Sequence, residues 1–384
     1  MNENLRIAWL IPSVELGAYW QPVLAEFTKV FPQTKFYTGL VWPGFDPSVP
    51  GSQAIELVGE MKSVEITKTE GYTRRLMVVS PGIVGKLLQF KPQVVLAQAF
   101  SLWTLLAVLL KPILGWRLII IYDGSSPNSD FRDSIVRSLF RRFMAAFAET
   151  FIPNSYGAKD YLIDGLGAKP ERVFTKMYLV PDAETLQQTL DKDQPINLSL
   201  PRPIFLYVGR ISPRKGIKSL LEACHILQTK GYQDYSLLVI GTGEQRPELE
   251  SYIAEKGLEK QVYWQGWVDY GQLGAYFKQA DVFVFPTLED IWGMVPLEAM
   301  VFDKPVLCSK WAGAAEVVVE GENGYIFDPY QPAELALAMQ RFLDQPNLAS
   351  FMGAKSGQLI AQHTPQAAAQ SFVEVIEKTW NRQF

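Results

Sequence analysis

Hydrophobic positions along the chain form short, nearly continuous apolar runs that alternate with segments of helical periodicity. Runs rich in Ile, Val and Leu are typical of strands that are buried on both faces of a parallel sheet. In the first half these runs are LRIAWLIP (5–12), KFYTGL (35–40), QVVLAQAF (93–100), RLIIIYDG (117–124) and ETFIPNS (149–155). Their alternation with helical segments predicts a doubly wound α/β domain, with helices on both faces of the sheet.

The same alternation restarts in the second half. Its predicted strands are PIFLYVG (203–209), YSLLVIG (235–241), QVYWQG (261–266), DVFVFPT (281–287) and PVLCS (305–309). In GIKSLLEACHILQTKG (216–231) apolar residues recur at the spacing of one helical face, and PELESYIAEKG (247–257) follows the next strand as a second helix. The pattern predicts a second Rossmann-like domain.

Between the halves, LDKDQPINLSLPRP (190–203) is polar, contains proline and has no period. Because a single core stops growing at about 250–300 residues, a chain of 384 residues is expected to form two domains. We predict an N-terminal domain over 1–192, a linker over 193–202, a C-terminal domain over 203–365, and a helix over 366–384 that packs back on the N-terminal domain. Two such domains are expected to face each other across a cleft, with ligands at the carboxyl ends of the strands.

The composition of the chain argues against several classes of protein. The net charge is −4 and no long run of like charge occurs, which argues against a nucleic-acid partner. Cys224 and Cys308 lie in apolar segments, which indicates core residues in a reducing compartment and predicts a cytoplasmic protein. The first residues lack the pattern of a signal peptide. The apolar stretch 101–121 is interrupted by Lys, Pro and Gly, so we interpret it as a buried helix followed by a buried strand.

Residues 131–151 form a segment that could contact a membrane or pack within a domain. Arginines and large apolar residues share this segment: Arg132, Arg137, Arg141, Arg142, Ile135, Leu139, Phe140, Phe143 and Phe147. We prefer to interpret it as a domain helix with one core face and one solvent face. The alternative is a basic amphipathic helix that contacts the inner face of a membrane peripherally.

Candidate chemistry follows the strands of the second half. In YVGRISPRKGIKSLL, Arg210 follows a strand through Gly209, and Lys215 precedes Gly216 where a helix begins. Two cations beside a helix N-terminus and a glycine suit a diphosphate group. An ordinary solvated basic turn explains the same residues equally well.

A GxG turn, Gly241 and Gly243, follows the next strand in VIGTGEQRPELE. Glycine is the default residue of tight turns, so this motif alone is more often a turn than a ligand site. For Arg246 in the same segment we predict a surface salt bridge.

The segment LEDIWGMVPLEAM (288–300) sets two acids, Asp290 and Glu298, eight positions apart. Pro296 is typical of a first helical turn, so we predict a helix that starts near Val295. The helix dipole then explains Glu298, and turn chemistry explains Asp290. However, no Ser, Thr, Asp or Asn stands at the cap position, so a ligand phosphate is an alternative acceptor for the first amides.

Three motifs in the second half belong together: YVGRISPRKG, EDIWGMVPLEAM and WAGAAEVVVEGENGYIFDP. Through these motifs, residues 203–345 resemble the retaining family-4 glycosyltransferases of the GT-B fold. The two acids look like that family's Glu-x7-Glu motif, with Asp290 in the first Glu position. The resemblance implies that Asp290 contacts the donor sugar, that Glu298 binds the ribose hydroxyls, and that Arg210 and Lys215 bind the donor diphosphate. Asp290, Arg210 and Lys215 are therefore the predicted catalytic residues.

The resemblance also implies that much of the donor site is backbone. Gly293, Met294 and Val295 would offer amides to the phosphates, and Trp267 and Val268 would lie near the base. The further implied donor-binding positions are Gly209, Gly241 and Gly243.

The first domain follows the family only in outline. The family often has a glycine-rich loop after its first strand, where this chain has Gly17 as a neighbour of the donor phosphate. Many members place a His after the strand that RLIIIYDG resembles, but His225 and His363 both lie elsewhere. Asp123 falls closest and is either an acceptor-side residue or a turn former before Gly124.

The scarcity of His favours retention, in which the leaving phosphate oxygen replaces a His base. Neither metal nor another cofactor is expected to be required, because Arg210, Lys215 and the helix start can neutralise charge. We interpret Asp191-Lys192-Asp193 as part of a solvated linker.

The sequence thus predicts a retaining glycosyltransferase that moves a sugar from a UDP- or GDP-sugar to a hydroxyl of a glycan, a lipid-linked glycan or a small metabolite. The alternatives are a nucleotide-sugar epimerase of the same fold and a non-catalytic nucleotide-sugar-binding protein.

Overall fold

A computed structural model describes residues 4–12, 17–41, 45–69, 72–130, 132, 134–188 and 198–381. Asp191, Asp193 and the first half of the predicted linker lie outside the described residues. The chain divides into two compact units. Of the described residues, those within 1–69, 73–180 and 363–384 form the N-terminal unit, and those within 70–72 and 181–362 form the C-terminal unit.

The strands of the N-terminal unit are β1 (Ile7–Ile11), β2 (Thr34–Thr38), β3 (Ile55–Leu57), β4 (Lys62–Thr69), β5 (Tyr72–Val78), β6 (Val94–Gln98), β7 (Arg117–Tyr122) and β8 (Thr150–Pro153). Those that follow are β9 (Ile204–Val208), β10 (Ser236–Ile240), β11 (Val262–Gly266), β12 (Val282–Phe285), β13 (Val306–Ser309) and β14 (Gly324–Phe327). Every predicted strand is present. The strands β3, β4, β5 and β14 were not predicted, because they are either very short or alternate with polar residues.

The helices before residue 200 are α1 (Gly17–Val30), α2 (Ile83–Phe90), α3 (Leu102–Leu114), α4 (Pro127–Asp130), α5 (Ile135–Ala146), α6 (Tyr156–Asp160) and α7 (Ala183–Gln188). The later ones are α8 (Ile217–Thr229), α9 (Arg246–Lys256), α10 (Leu273–Gln279), α11 (Met294–Val301), α12 (Pro332–Asp344), α13 (Leu348–Ile360) and α14 (Pro365–Asn381). The apolar stretch 101–121 is a helix followed by the buried strand β7, as predicted, but only one face of α3 is buried. Within the described ranges, no helix is both long and apolar enough to cross a bilayer.

Each unit is built on a six-stranded sheet, in the orders β3-β2-β1-β6-β7-β8 and β11-β10-β9-β12-β13-β14. All of the described strand pairs in these two sheets are parallel. In both sheets the order reverses beside the first strand of the unit, as in the doubly wound Rossmann arrangement. The predicted fold class is therefore confirmed.

Aromatic side chains fill one face of the N-terminal sheet. The ring of Trp9 on β1 lies 5.2 Å from that of Phe27 on α1 and 4.7 Å from that of Phe372 on α14. The helix α14 thus packs beside α1, within the N-terminal unit. Residues of α2, α3 and α5 contribute to a second core cluster with β1, β6 and β7.

The core of the C-terminal unit includes the predicted apolar face of α8, with Cys224 among its buried residues. Cys308 is buried in β13. Burial raises the pKa of the Cys224 thiol to about 12 and raises that of Cys308 further. Both cysteines are free and protonated at neutral pH, as expected for small core residues.

The preferred interpretation of residues 131–151, a domain helix with one core face and one solvent face, is confirmed only for the small part of α5 that joins the core, and the large apolar residues do not form that core face. Only Met144 and Ala145 of α5 are buried, and its larger apolar side chains point to solvent. The Arg141 guanidinium instead turns inward and donates to the Asp130 carbonyl (2.7 Å) and the Tyr161 hydroxyl (2.8 Å). The sequence pattern predicted a helix with two faces but could not indicate which face packs against the domain.

Candidate active site

The strand order of the C-terminal sheet reverses between β9 and β12, which are hydrogen-bonded neighbours. Connections after two such strands leave in opposite directions and open a crevice at the carboxyl ends, where doubly wound sheets bind ligands. Arg210 and Lys215 follow β9, and Asp290 follows β12. The predicted catalytic residues therefore all belong to this switch point.

Lys215 and Asp290 form a close ion pair at this edge. The Lys215 Nζ lies 2.6 Å from the Asp290 Oδ2, and the two side chains are only 17% and 14% exposed. The Arg214 guanidinium, which sequence reasoning did not single out, lies 3.8 Å from the same oxygen and donates to the Glu289 carbonyl (2.8 Å). Because a lysine ammonium has three N–H donors, Lys215 can hold Asp290 and still donate to a second anion.

Backbone contacts between two loops fix this pair. Lys215 ends a short 3-10 helix, and Gly216 follows in the left-handed conformation with φ 69°. A Cβ at Gly216 would lie 1.9 Å from the Pro286 carbonyl oxygen, so only glycine fits. The Leu288 amide and the Thr287 hydroxyl both donate to the Arg214 carbonyl, at 2.8 and 3.2 Å. The loops after β9 and β12 are thus joined directly.

The helix α11 begins beside the pair without a capping side chain. It starts at Met294, one residue before the predicted start, and Gly293 precedes it with φ 96°. In the part of the chain that the structure describes, no side chain caps this helix. Pro296 has no amide proton, so Gly293, Met294 and Val295 supply the N–H groups of the helix start. Such a start is a ready site for an anion.

Glu298 is the fifth residue of α11, just beyond the first turn, so the predicted explanation by the helix dipole does not hold. Its side chain is 1% exposed, and its Oε1 accepts a hydrogen bond of 3.3 Å from the Tyr270 hydroxyl. Tyr270 comes shortly after Trp267, which is 74% exposed, and Val268, which is buried. Tyr270 was missed, because its only signal was its place within QGWVDYGQL.

The predicted donor-site glycines have a structural explanation. A Cβ at Gly241 would lie 1.9 Å from the Gly209 carbonyl oxygen, and one at Gly243 would lie 2.0 Å from that of Ile211. At Gly209 a Cβ would meet the Tyr207 hydroxyl at 2.9 Å. These glycines allow the loops after β9 and β10 to touch through their backbones. Their contact with a ligand stays a prediction.

Arg210 is an exposed residue in the loop after β9. Its Nη2 is 3.1 Å from the Glu244 Oε2, and the side chains are 72% and 54% exposed. Glu244 was missed, although it follows Gly243 directly. Arg246 pairs with Glu250 at 2.8 Å on the surface of α9, which confirms the salt bridge predicted for it.

The corresponding edge of the N-terminal sheet carries a carboxylate that is surrounded by neutral hydrogen-bond donors. Asp123, directly after β7, accepts hydrogen bonds from the Gln98 amide and from the Tyr178 hydroxyl (2.8 Å). Burial and the negative charge of Asp123 raise the pKa of Tyr178 well above its ordinary value. The Gln98 Oε1 and the Asn154 Nδ2 are buried with no hydrogen-bond partner among the described residues. Gly17, after β1, is the first residue of α1.

A cavity of about 660 Å³ occurs at the other edge of the C-terminal sheet. Its lining includes Asp281, Asp303 and Lys304, which precede β12 and β13. Doubly wound sheets bind ligands at the carboxyl ends of their strands, and this cavity lies at the amino ends. It is therefore separate from the candidate site.

Residues 189–378 match the family model described as "Glycosyl transferases group 1". The alpha-D-kanosaminyltransferase of Streptomyces kanamyceticus is 30% identical over 203 residues, which make up 52% of this chain and 52% of that protein. The D-inositol 3-phosphate glycosyltransferase of Streptomyces avermitilis is 32% identical over 166 residues, 41% of this chain and 36% of that protein. The chain spans about half the length of these curated relatives or less.

Solved structures resemble the whole chain at low sequence identity. Anabaena HepE in complex with UDP aligns with a TM-score of 0.73 and 16% identity, over 97% of this chain and 100% of that one. Sucrose-phosphate synthase from Thermosynechococcus elongatus aligns with a TM-score of 0.73 and 18% identity, over 98% and 99%. These likenesses establish the fold as GT-B, with two Rossmann-like doubly wound units.

Proposed function

We propose that the protein is a retaining, family-4 glycosyltransferase, because residues 189–378 match the family model of group 1 glycosyl transferases. It moves a sugar from a nucleoside diphosphate donor to an acceptor hydroxyl, on a glycan, a lipid-linked glycan or a small metabolite. The observation that carries the proposal is the Lys215–Asp290 pair beside the uncapped start of α11.

The donor diphosphate is bound by Lys215 and by the amides of Gly293, Met294 and Val295. The amides point their N–H groups at the anion, and the ammonium supplies a full positive charge. Arg214, already close to Asp290, adds to the positive potential. Glu298 accepts from the ribose hydroxyls while Tyr270 holds its carboxylate.

The base lies near Trp267 and Val268, since Tyr270 links their loop to Glu298. Anabaena HepE was solved with UDP and with UDP-glucose, which supports UDP before GDP as the donor nucleotide.

In the proposed reaction the bond between the sugar C1 and the diphosphate oxygen breaks. That oxygen takes the acceptor proton, and the acceptor oxygen bonds to C1 on the same face. Lys215 and the start of α11 stabilise the negative charge that develops on the leaving group. Asp290, oriented by Lys215, lies near the positive charge that develops on the sugar ring. Because these groups neutralise the charge, the proposal includes no metal and no His base.

The acceptor is assigned to the N-terminal unit, beside Asp123 and the unpartnered amide atoms of Gln98 and Asn154. Buried polar atoms without partners suit the hydroxyls of a sugar or polyol. We also propose a cytoplasmic location, because both cysteines are free and buried, as in a reducing compartment.

Isothermal titration with UDP tests the donor site. We expect Lys215→Ala to weaken UDP binding about 10- to 100-fold, since a charge-assisted hydrogen bond contributes about 1.5–3 kcal/mol. The matched control is Lys230→Ala, at the other end of α8, which should bind UDP like the wild type. Equal UDP affinity in Lys215→Ala and the wild type would overturn the assignment.

Two further measurements test the reaction itself. Proton NMR of the product should show the anomeric configuration of the donor, and transfer should survive excess EDTA.

A non-catalytic nucleotide-sugar-binding protein is the second candidate function. The observation that favours it is the closeness of the Lys215–Asp290 pair, because a carboxylate held by a lysine and an arginine is less available to a reacting sugar. UDP-sugar binding without donor hydrolysis, epimerisation or transfer to any offered acceptor would support this candidate over the enzyme.

A further inference from the structure

The N-terminal unit exposes a row of large apolar side chains on two adjacent helices. Their exposed fractions range from 36% to 79%. We call this surface the α3–α5 face, and its members are Leu102, Leu109, Ile113, Ile135, Val136, Leu139, Phe140, Phe143 and Phe147. The helices α3 and α5 contact each other, and both contribute buried residues to the same core cluster. A concentration of exposed large apolar side chains on two neighbouring helices points to an interaction site.

The orientation of α5 sets this face apart from scattered surface hydrophobics. Arg141 turns toward the domain and bonds to the Asp130 carbonyl and the Tyr161 hydroxyl, while Phe140 and Phe143 on the same helix turn outward. A helix that served only the domain core would have the opposite arrangement. The outward apolar face of α5 therefore fits a surrounding that is itself apolar.

The charged residues of α3 and α5 are all basic, and one of them, Lys111, is paired with Glu149 at 2.5 Å. The helix α5 contains Arg137, Arg141 and Arg142 and no acidic residue, and Lys111 is the only charged residue of α3. Arg142 is exposed and donates through its Nε to the Gly165 carbonyl (3.1 Å), which holds it at the border of the apolar row. Apolar residues bordered by cations match a bilayer with anionic headgroups.

We propose that the α3–α5 face docks on an anionic lipid bilayer, with the phenylalanines of α5 in the headgroup boundary and Arg142 on lipid phosphates. A second copy of the chain fits this face less well. Pairing two such faces would bring the arginines of two α5 helices together without an acid on either helix to neutralise them. The proposal is independent of the donor site, so its failure would leave the proposed transfer untouched.

Co-sedimentation of the full chain with vesicles tests the proposal. One set contains phosphatidylcholine alone, and the other contains phosphatidylcholine with phosphatidylglycerol. We expect binding to the anionic set that falls as salt rises. Phe140→Ser combined with Phe143→Ser should reduce partitioning at least about tenfold, because both apolar side chains leave the interface. Arg142→Gln should reduce it about fivefold, the contribution of one cation near an anionic surface.

Phe351→Ser is the matched control, because Phe351 is 72% exposed on α13 of the C-terminal unit and should not affect partitioning. Light scattering without vesicles accompanies each variant, and circular dichroism confirms that each is folded. Equal partitioning of the wild type and the double Phe variant would overturn the proposal. So would a wild-type dimer that the double variant converts to monomers, since that result would assign the face to a second copy.

Discussion

The two sheets have the same strand order but carry different chemistry at the carboxyl ends of their strands. In the C-terminal unit, Asp290 is held by the ammonium of Lys215 beside an uncapped helix. In the N-terminal unit, Asp123 is held by the neutral donors Gln98 and Tyr178. An ammonium with spare donors can bind a phosphate, but a neutral amide and a phenol cannot neutralise one. Topology therefore decides where a ligand site can form, and the side chains decide which ligand it suits.

The largest expected effect separates the two carboxylates. Asp290→Asn should lower kcat for sugar transfer about 100-fold or more, as loss of one transition-state electrostatic contact does, while UDP still binds. Asp123→Asn should lower kcat/KM by only about tenfold, because an amide keeps much of the hydrogen bonding offered by Gln98 and Tyr178. Steady-state kinetics on both variants measures the contrast. Equal losses in kcat would remove the distinction between a donor edge and an acceptor edge.

A second contrast compares Gly216, in a loop at the carboxyl ends of the C-terminal strands, with Gly115, which precedes β7 at the amino ends of the N-terminal strands. Gly216 and Gly115 have nearly the same left-handed φ, 69° and 73°, but a Cβ at Gly216 would clash with the Pro286 carbonyl and one at Gly115 would meet nothing within 4 Å. Alanine at either position costs about 1–2 kcal/mol for its backbone conformation. Gly216→Ala should cost about 2 kcal/mol more, because of the clash. Urea unfolding gives both values, and equal destabilisation would mean that the loops after β9 and β12 are not held in close contact.

A smaller effect distinguishes the tyrosines that support the two edges. Tyr178→Phe should lower the free energy of unfolding by about 1–2 kcal/mol, because the partly buried Asp123 carboxylate loses a 2.8 Å hydrogen bond. Tyr270→Phe should cost less than about 1 kcal/mol, since its bond to Glu298 is 3.3 Å long. The second variant should weaken UDP binding more than the first. If Tyr178→Phe weakened UDP binding more than Tyr270→Phe, our proposal would have assigned the nucleotide to the wrong sheet.

Most of the fold could be predicted from the chain, because strands buried on both faces leave continuous apolar runs and α8 shows one apolar helical face. The site could be predicted only as a set of strand-end residues. Lys215 and Asp290 are 75 positions apart, and nothing local indicates that they pair with each other. Tyr270 and Gln98 acquire their roles only through tertiary contacts. The outward face of α5 was likewise hidden, because periodicity is the same whichever side packs inward.

The smallest expected effect concerns the ion pair between Arg210 and Glu244 and its influence on UDP affinity. Arg210 is paired with Glu244 at the surface, so an exposed carboxylate competes with any diphosphate for this guanidinium. Glu244→Gln should therefore tighten UDP binding about twofold to fivefold at low salt, which is the range of an exposed ion pair. The gain should disappear as added salt screens both interactions. Arg210→Ala should weaken binding by a similar factor, with little change in the unfolding midpoint. If Glu244→Gln weakened UDP binding instead, Glu244 would have to act on the ligand directly, and Arg210 would serve to orient it.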